Sequence, residues 1–478
     1  MNKLVLLLIS TLLANPYPGL TLFSPIISMP EENTTFETYL IDNNQNIINT
    51  WFSDYCVAHT QYIIEDTILV RPGRISPPFF DAGGIGGIIQ KYNWQGDVIW
   101  ETMWANNQYQ QHHDIEVLPN GNILLISFDR KTQEETIAKG KLAHNGDFWS
   151  EKIFEIRPMG DSEYEIVWEW SLFDHLIQDA NPDLDNYAVI AETPNKLDIN
   201  YMAQNDEGPL PPQFYNPDFL HLNAIDYHEE LDLIVVSSRK SNEIYIIDHS
   251  TTTAEASTDT GGNYNKGGGI LYRWGNPMVY DRGSIEDQKL FAPHGVNWVD
   301  GTLDHLIIFN NGHQRPVEDN DDVPYSSVEE IVTPFDFSEG YLINENLPYG
   351  PSGYHWYYSD NQSYSGIQSG AYRLENGNTL ITYTTLSKIV EVSDNLDIVW
   401  EYSYGADQTE YFSRALKYDG ISELGDINYD FSINILDVVS TANIVLNSNE
   451  YDYIVDMNYD NIIDILDIIS IINIIIDN

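Results

Sequence analysis

Three histidines in this chain each open a short alternating run: His113 in HDIEVL, His221 in HLNAIDY and His294 in HGVNWV. One basic residue, Arg239, closes the apolar run LDLIVVSSR that follows HLNAIDY. The stretch from Asp218 to Arg239 reads as one β-hairpin with the polar turn HEE between its strands. Antiparallel pairing brings the start of the first strand to the end of the second, so His221 and Arg239 share one end of a sheet. A neutral imidazole beside a guanidinium suits an oxygen-rich anion such as sulfate, phosphate or carboxylate. Taken alone, the hairpin is equally satisfied by a hydrogen-bonded core histidine and an arginine in an ion pair. Independent core histidines have no reason to share a register, however, and these three share one. His112 takes the place of His113 if that register is off by one.

The elements that must position these residues recur along the chain. From about Thr38 the unit is a pair of strands joined by a polar turn, then two more strands, the last often ending in Trp-Glu. The endings are GDVIWE (96–101), YEIVWEW (164–170), ILYRW (270–274) and LDIVWEY (396–402). The paired strands before them are TQYIIEDTILV (60–70), HHDIEVLPNGNILLIS (112–127), HLNAIDYHEELDLIVVSS (221–238), HGVNWVDGTLDHLIIFN (294–310) and GAYRLENGNTLITYT (370–384). No amphipathic helix interrupts them. Four-stranded antiparallel repeats of this kind predict propeller blades, and the inner-strand pairs count five. A sixth blade follows from TYLID (38–42) and IINTW (47–51) as its outer half, with YFSRALKY (411–418) as its inner strand. Closing a ring with both ends of the chain leaves no open sheet edge. A β-sandwich with insertions is the competing architecture, but the Trp-Glu endings recur too often for it. The predicted fold is therefore all-β, a six-bladed β-propeller, with a small α-helical module after it. In such a ring the inner strands line the central channel, so the three histidines converge near one of its ends and Arg239 can join them.

The chain has 478 residues and a formal net charge of −51, from 22 Lys+Arg against 73 Asp+Glu. That balance argues against nucleic-acid or anionic-membrane partners, which need a basic face. Any anion site must be built locally against a repulsive field. Cys56 is the single cysteine, so no intrachain disulfide forms. Lys3 followed by an apolar run from Leu4 to Leu13 and by Ala14 reads as a secretory signal, too short to span a bilayer. The predicted domains are a signal peptide (1–14), the propeller (15–420) and a C-terminal module (424–478). The expected location is secreted or periplasmic, with attachment to the cell surface as a variant.

Past Gly425 one pattern occurs twice, 30 residues apart: DINYDFSINILD, then DMNYDNIIDILD, each followed by an apolar helix. Oxygen side chains fall at loop positions one, three, five and twelve, namely Asp426, Asn428, Asp430 and Asp437, and Asp456, Asn458, Asp460 and Asp467. Hard oxygen ligands at that spacing are what a Ca2+ loop requires. The region resembles a type I dockerin, which has two such loop–helix repeats. That resemblance implies Ca2+ in both loops and a cohesin-like protein or cell-surface partner. It departs at loop position six, where the usual glycine is Phe431 and Asn461; asparagine tolerates a left-handed turn and phenylalanine does so poorly.

The motifs HHDIEVLPNGN, DFLHLNAIDY, SSRKSNEIYIIDHSTTTAEA, LYRWGNP and LFAPHGVNW resemble the bacterial arylsulfate sulfotransferase family, from roughly Gly19 to Asn310 and more weakly to about Tyr404. The resemblance implies a six-bladed propeller that moves a sulfuryl group from an aryl sulfate ester to a phenolic acceptor, without a nucleotide sulfate donor. It implies that His294 becomes transiently sulfated, that His221 and Arg239 hold the sulfuryl oxygens, and that His113 assists by proton transfer. No cofactor is expected for the transfer itself. The glycine-rich stretch 261–269 lacks the spacing and flanks of a phosphate loop. Arg273 and Arg315 fit either the channel mouth or a structural ion pair, and His175, His249 and His313 lie outside the strand-start register. The alternative function is a non-catalytic secreted binding propeller, displayed or anchored by its dockerin-like module.

Overall fold

The computed structural model describes residues 15–27, 33–65, 67–142, 146–201, 216–316, 324–360, 362–403, 410–419, 421, 425–427, 433–447, 454–457 and 462–477. The expected signal, residues 1–14, lies outside them.

The alternating segments form six four-stranded antiparallel sheets arranged as a six-bladed propeller. In five of them sequence order runs from the inner strand to the outer. Blade 1 is Tyr62–Ile64, Ile68–Arg74, Gly87–Tyr92 and Val98–Met103; blade 2 is Tyr109–Val117, Ile123–Lys131, Phe148–Met159 and Glu163–Ser171. Blade 3 is Leu222–His228, Leu233–Ser238, Glu243–Asp248 and Tyr272–Trp274; blade 4 is His294–Trp298, His305–Asn310, Ser327–Val332 and Trp356–Tyr358. Blade 5 is Gly370–Arg373, Thr379–Tyr383, Lys388–Val392 and Ile398–Ser403. Blade 6 joins the two ends of the propeller: Leu416–Tyr418 is innermost and pairs with Leu20–Phe23, outside which lie Phe36–Ile41 and Ile47–Ser53. The strand Leu20–Phe23 lies ahead of the first repeat legible in the sequence; its four residues, LTLF, are all buried, Thr21 included, and are too few to show a period.

The apolar core is divided among the blade interfaces. Val70, Ile89, Trp100 and Ile115 pack between blades 1 and 2; Phe309, Val328, Ala371 and Val390 pack between blades 4 and 5. The tryptophans of the outer strands give the recurrent strand ending its physical purpose. Trp100 Nε1 donates across to Glu163 O (3.0 Å), Trp168 to Thr251 Oγ1 (3.2 Å) and Trp274 to Pro351 O (2.8 Å). Trp400 likewise reaches Asn43 O (2.9 Å) and Trp51 reaches Asn93 O (2.8 Å). Each indole thus ties its blade to the next while its rings fill the interface. Blade 4 uses another contact: the Arg373 guanidinium of blade 5 lies 4.4 Å from the Trp356 ring.

Helical structure in the propeller is confined to loops. Gln133–Ala138 and Thr253–Ala256 are short helices, each opened by a reciprocal cap between Thr132 and Glu135 or Thr252 and Glu255. At the C-terminus, Ile435–Asn447 and Ile465–Asp477 are helices that pack on each other. No helix among the described residues is long and apolar enough to cross a membrane.

Candidate active site

The inner strands of blades 2, 3 and 4 share one irregularity at the histidines. In each, the pairing with the second strand shifts register: between Leu125 and Ser127, between Leu222 and Ala224, and between His294 and Asn297. A bulge breaks the two-residue alternation and re-aims a side chain. His113 (φ 54°) and His221 (φ 56°) occupy the left-handed region, uncommon for a residue with a Cβ; in blade 4 that conformation falls on Gly295 (φ 64°).

The bulges gather imidazoles at one end of the channel. The His113 ring centroid lies 4.6 Å from His221 and 6.1 Å from His294. His112 turns away, stacked on Phe128 at 3.8 Å. The hairpin pairing holds as the sequence suggests, with Arg239 N donating to His221 O at 3.2 Å.

His294 is fixed in one tautomer by a chain of acceptors. Asn311 Nδ2 donates to Ser365 O (2.6 Å) and Gln368 O (3.0 Å), so its Oδ1 must face the other way. That oxygen lies 2.7 Å from His294 Nδ1, with Ala292 O at 3.3 Å. The proton therefore sits on Nδ1, and Nε2 keeps its lone pair. Burial, then the nearby Arg239 charge, holds the His294 pKa well below its ordinary value, so the ring is neutral.

His113 has a different backing. Its Nδ1 lies 3.0 Å from His112 Nδ1, and His112 Nε2 lies 2.9 Å from Glu151 Oε2. All three side chains are buried. Burial pushes His112 down to about 3 and the Glu151 carboxyl up, so the neutral forms prevail. Glu151 Oε1 accepts from Leu222 N (3.1 Å), which leaves the carboxyl proton on Oε2. The consistent arrangement is Glu151 donating to His112, His112 donating to His113, and an Nε2–H on His113. His221 instead sends Nδ1 to Asp218 Oδ2 at 2.6 Å. Burial would raise the Asp218 carboxyl, but His221 and Lys240 outweigh it and hold it well below the usual carboxylate range.

Arg239 is half-buried, donates to Gly366 O at 3.2 Å, and has no carboxylate partner among the described residues. Arg273 and Arg315 contrast with it. Arg273 is locked to Glu243 (2.5 Å), and Arg315 faces Glu329 (3.7 Å) and Ser327 Oγ (2.7 Å), so both are structural. His175 bonds Ala256 O and His249 bridges Asp232 and Glu155, both away from the cluster. His313 lies near Tyr364 OH (3.3 Å), within the field of Arg239.

One imidazole of the cluster, His59, is not marked by the strand-start register. It precedes the inner strand of blade 1 and lies 6.1 Å from His113 and 6.3 Å from His294. Its only sequence signal is AHTQ just before YII, three residues ahead of the strand rather than at its start. A glycine loop closes over the group: Gly84 O accepts from His113 N (2.5 Å), and a Cβ on Gly84 (φ 65°) would overlap the His113 ring. Gly84→Ala is expected to displace His113 and lower kcat/KM by about 10- to 100-fold, since small misplacements at a reacting centre have effects of that size. Steady-state kinetics beside a thermal melt would check it. Towards the other end of the channel the Asp114–Arg414 ion pair is fully buried, and Arg414 also lines a cavity of about 340 Å³ bounded by Glu116, Asp226, Trp298 and Tyr372. No histidine lines that cavity.

Of the expected Ca2+ ligands, Asn428, Asp430, Asn458 and Asp460 lie outside the described residues, as do Phe431 and Asn461. Asp426, Asp437, Asp456 and Asp467 are buried. The two loops close identically: Asp437 accepts from Ile427 N (3.0 Å) and Asn434 N (2.8 Å), and Asp467 from Met457 N (2.8 Å) and Asp464 N (2.8 Å).

A sequence model described as Arylsulfotransferase (ASST) matches residues 82–415. No curated protein matches the chain. Similar solved structures include a protein of unknown function from Bacteroides caccae, 9% identical, covering 84% of this chain and 99% of its own, with a TM-score of 0.42. A virginiamycin B lyase from Staphylococcus aureus is 12% identical, covers 80% of this chain and 86% of its own, and scores 0.34. A hypothetical selenium-binding protein from Sulfolobus tokodaii is 12% identical, covers 70% and 66%, and scores 0.36. Likenesses at this level carry no argument about chemistry.

Proposed function

The chain belongs to the arylsulfotransferase family, and from that premise we propose that it transfers a sulfuryl group from an aryl sulfate to a phenol through a sulfated His294, with no nucleotide donor. The observation that carries this reading is the state of His294: buried, neutral, with its proton held on Nδ1 by Asn311. A neutral imidazole with a free lone pair is a competent nucleophile near neutral pH. Arg239 and His221 hold the sulfuryl oxygens, where developing charge needs donors already in place.

The atoms balance as follows. His294 Nε2 forms an S–N bond as the S–O bond to the aryl group breaks, and the bonding pair leaves on the phenolate oxygen. That oxygen takes the Nε2 proton of His113, while His112 and Glu151 pass a proton to His113 Nδ1. Glu151 is left ionised and His113 Nε2 is bare, ready to take the proton of the incoming phenol. The acceptor oxygen then removes the sulfuryl group from His294 and the proton chain returns to its first state. Two half-reactions sharing one covalent intermediate predict ping-pong kinetics.

The test uses an aryl sulfate that releases a coloured phenolate, with and without a second phenol and with no nucleotide. Acceptor-dependent release supports the transferase. Release indifferent to the acceptor points to a hydrolase. No release from several donors leaves the non-catalytic binding propeller.

For the C-terminal module we propose Ca2+ in both loops, held by Asp426, Asn428, Asp430 and Asp437 and by Asp456, Asn458, Asp460 and Asp467. The buried carboxylates that close each loop fit a hard cation. The two helices expose matching apolar residues: Ile435 and Ile465, Leu436 and Leu466, Val439 and Ile469, Leu446 and Ile476. A cohesin-like protein or other cell-surface partner suits such a repeated face. The proposed setting is secreted or periplasmic, with residues 1–14 as signal, 15–420 as propeller and 424–478 as the dockerin-like module. Chelation is expected to melt the two helices, because their loops lose the ion that binds only the folded form. Circular dichroism would show lost helix signal restored by Ca2+, with sulfotransferase turnover unchanged.

A further inference from the structure

His59 belongs to none of the roles above. Its side chain is fully buried, and neither ring nitrogen has a hydrogen-bond partner among the described residues. The Gln368 side chain reaches towards the ring without completing a bond to it. Each of the other described buried histidines is anchored by at least one ring nitrogen: His112 and His113 to each other, His175 to Ala256 O, His221 to Asp218 and His294 to Asn311. A buried imidazole with both nitrogens unmatched destabilises the fold unless something outside the chain completes it. The ring is also held neutral, first by burial and then by Arg414 and His294, so it carries one N–H and one lone pair.

Its position says what completes it. The rings of His59, His113 and His294 form a nearly equilateral triangle, with centroids 6.1, 6.3 and 6.1 Å apart. They come from blades 1, 2 and 4, at the same end of the channel, and His294 is the sulfuryl carrier in the reading above. A sulfuryl group in flight has three equatorial oxygens, and that reading supplies donors from two residues only, Arg239 and His221.

We propose that His59 is a further catalytic group, donating a ring N–H to a sulfuryl oxygen as the group passes to and from His294. The inference rests on the transferase reading for its substrate. No proton is transferred by His59; the hydrogen bond forms as the sulfuryl group enters and is released as it leaves. Because the ring has no fixed tautomer, either nitrogen can present the proton.

The test replaces His59 in the full chain with leucine and, separately, with asparagine. Leucine removes the unmatched nitrogens, so His59→Leu is expected to melt at the same temperature or higher while kcat falls by about 10²- to 10³-fold, the usual effect of losing one such donor. KM for the aryl sulfate is expected to move little. His59→Asn, whose amide can donate, is expected to recover about 10-fold of the loss. Turnover within two-fold of the parent in His59→Leu would overturn the proposal, as would a lower melting temperature in both variants without recovery by asparagine. Inorganic sulfate gives a readout independent of turnover: it should raise the melting temperature of the parent chain and do so less in His59→Leu. If the parent transfers from no aryl sulfate but sulfate still discriminates the two, the transferase reading fails and the oxygen contact stands. Equal stabilisation of both by sulfate removes His59 from the site.

Discussion

His294→Ala is expected to lower acceptor-dependent phenolate release by on the order of 10⁴-fold or more, because its Nδ1 proton is held by Asn311 and its bare Nε2 is the nucleophile of the proposed route. Mass analysis of the parent chain with donor alone should find one added sulfuryl group, on His294, which a phenol then removes. Acceptor-dependent turnover retained in His294→Ala would sink the covalent route. The pH profile adds a second check. A free histidine loses its nucleophilic form as pH falls through about 6.5. Burial and the Arg239 charge lower the His294 pKa, so the neutral ring persists at pH values where a free imidazole is already protonated. The acid limb of kcat/KM assigned to this group should therefore lie well below pH 6.5. A limb at the free-histidine value would mean that the nucleophile is elsewhere.

Arg239→Leu is the second large effect, expected at about 10³-fold in kcat/KM, the scale of a lost charge-assisted donor in a water-poor site. The physical ground is that, among the described residues, the Arg239 side chain bonds Gly366 O and no carboxylate. Arg273, Arg315, Arg373 and Arg414 all face carboxylates, so their removal would strand a buried charge and lower stability. Arg239→Leu strands none, and its melting temperature should stay close to that of the parent. Arg239→Lys should restore only part of the rate, since an ammonium cannot present the planar fork of a guanidinium to two oxygens. Full recovery with lysine would reduce the role of Arg239 to its charge. Loss of stability in Arg239→Leu matching the loss of rate would make it structural.

The propeller was largely legible because strand period and turn chemistry are local. The endings around Trp100, Trp168, Trp274 and Trp400 recur in sequence, and each places an indole where the neighbouring blade offers an acceptor. The strand Leu20–Phe23 was not legible, since four residues are too few to show a period and its pairing with Leu416–Tyr418 and Phe36–Ile41 defines it. The acidic loop pattern of the C-terminus is equally local, and half of its proposed ligands lie outside the described residues.

The sequence by itself determined the architecture, the family and the three inner strands that carry the histidines. Those follow from alternation, spacing and motif, which need no knowledge of neighbours distant in the chain. His294 opens its strand and His221 directly precedes its own, but His113 lies inside Tyr109–Val117 rather than at its start, because pairing with Ile123–Lys131 continues past the bulge. Only the tertiary structure decided which ring faces which. The choice between His112 and His113 was open in the sequence; a bulge and the packing of Phe128 turn His113 to the cluster. The tautomer of His294 depends on Asn311 and, through it, on Ser365 and Gln368 of a later loop. His59 enters only because ring closure brings blade 1 beside Arg414, whose backbone N–H bonds His59 O at 3.0 Å. Periodicity reports which side of its own strand a residue occupies, whereas protonation, orientation and hydrogen-bond partners are set by groups that meet only after the ring has closed.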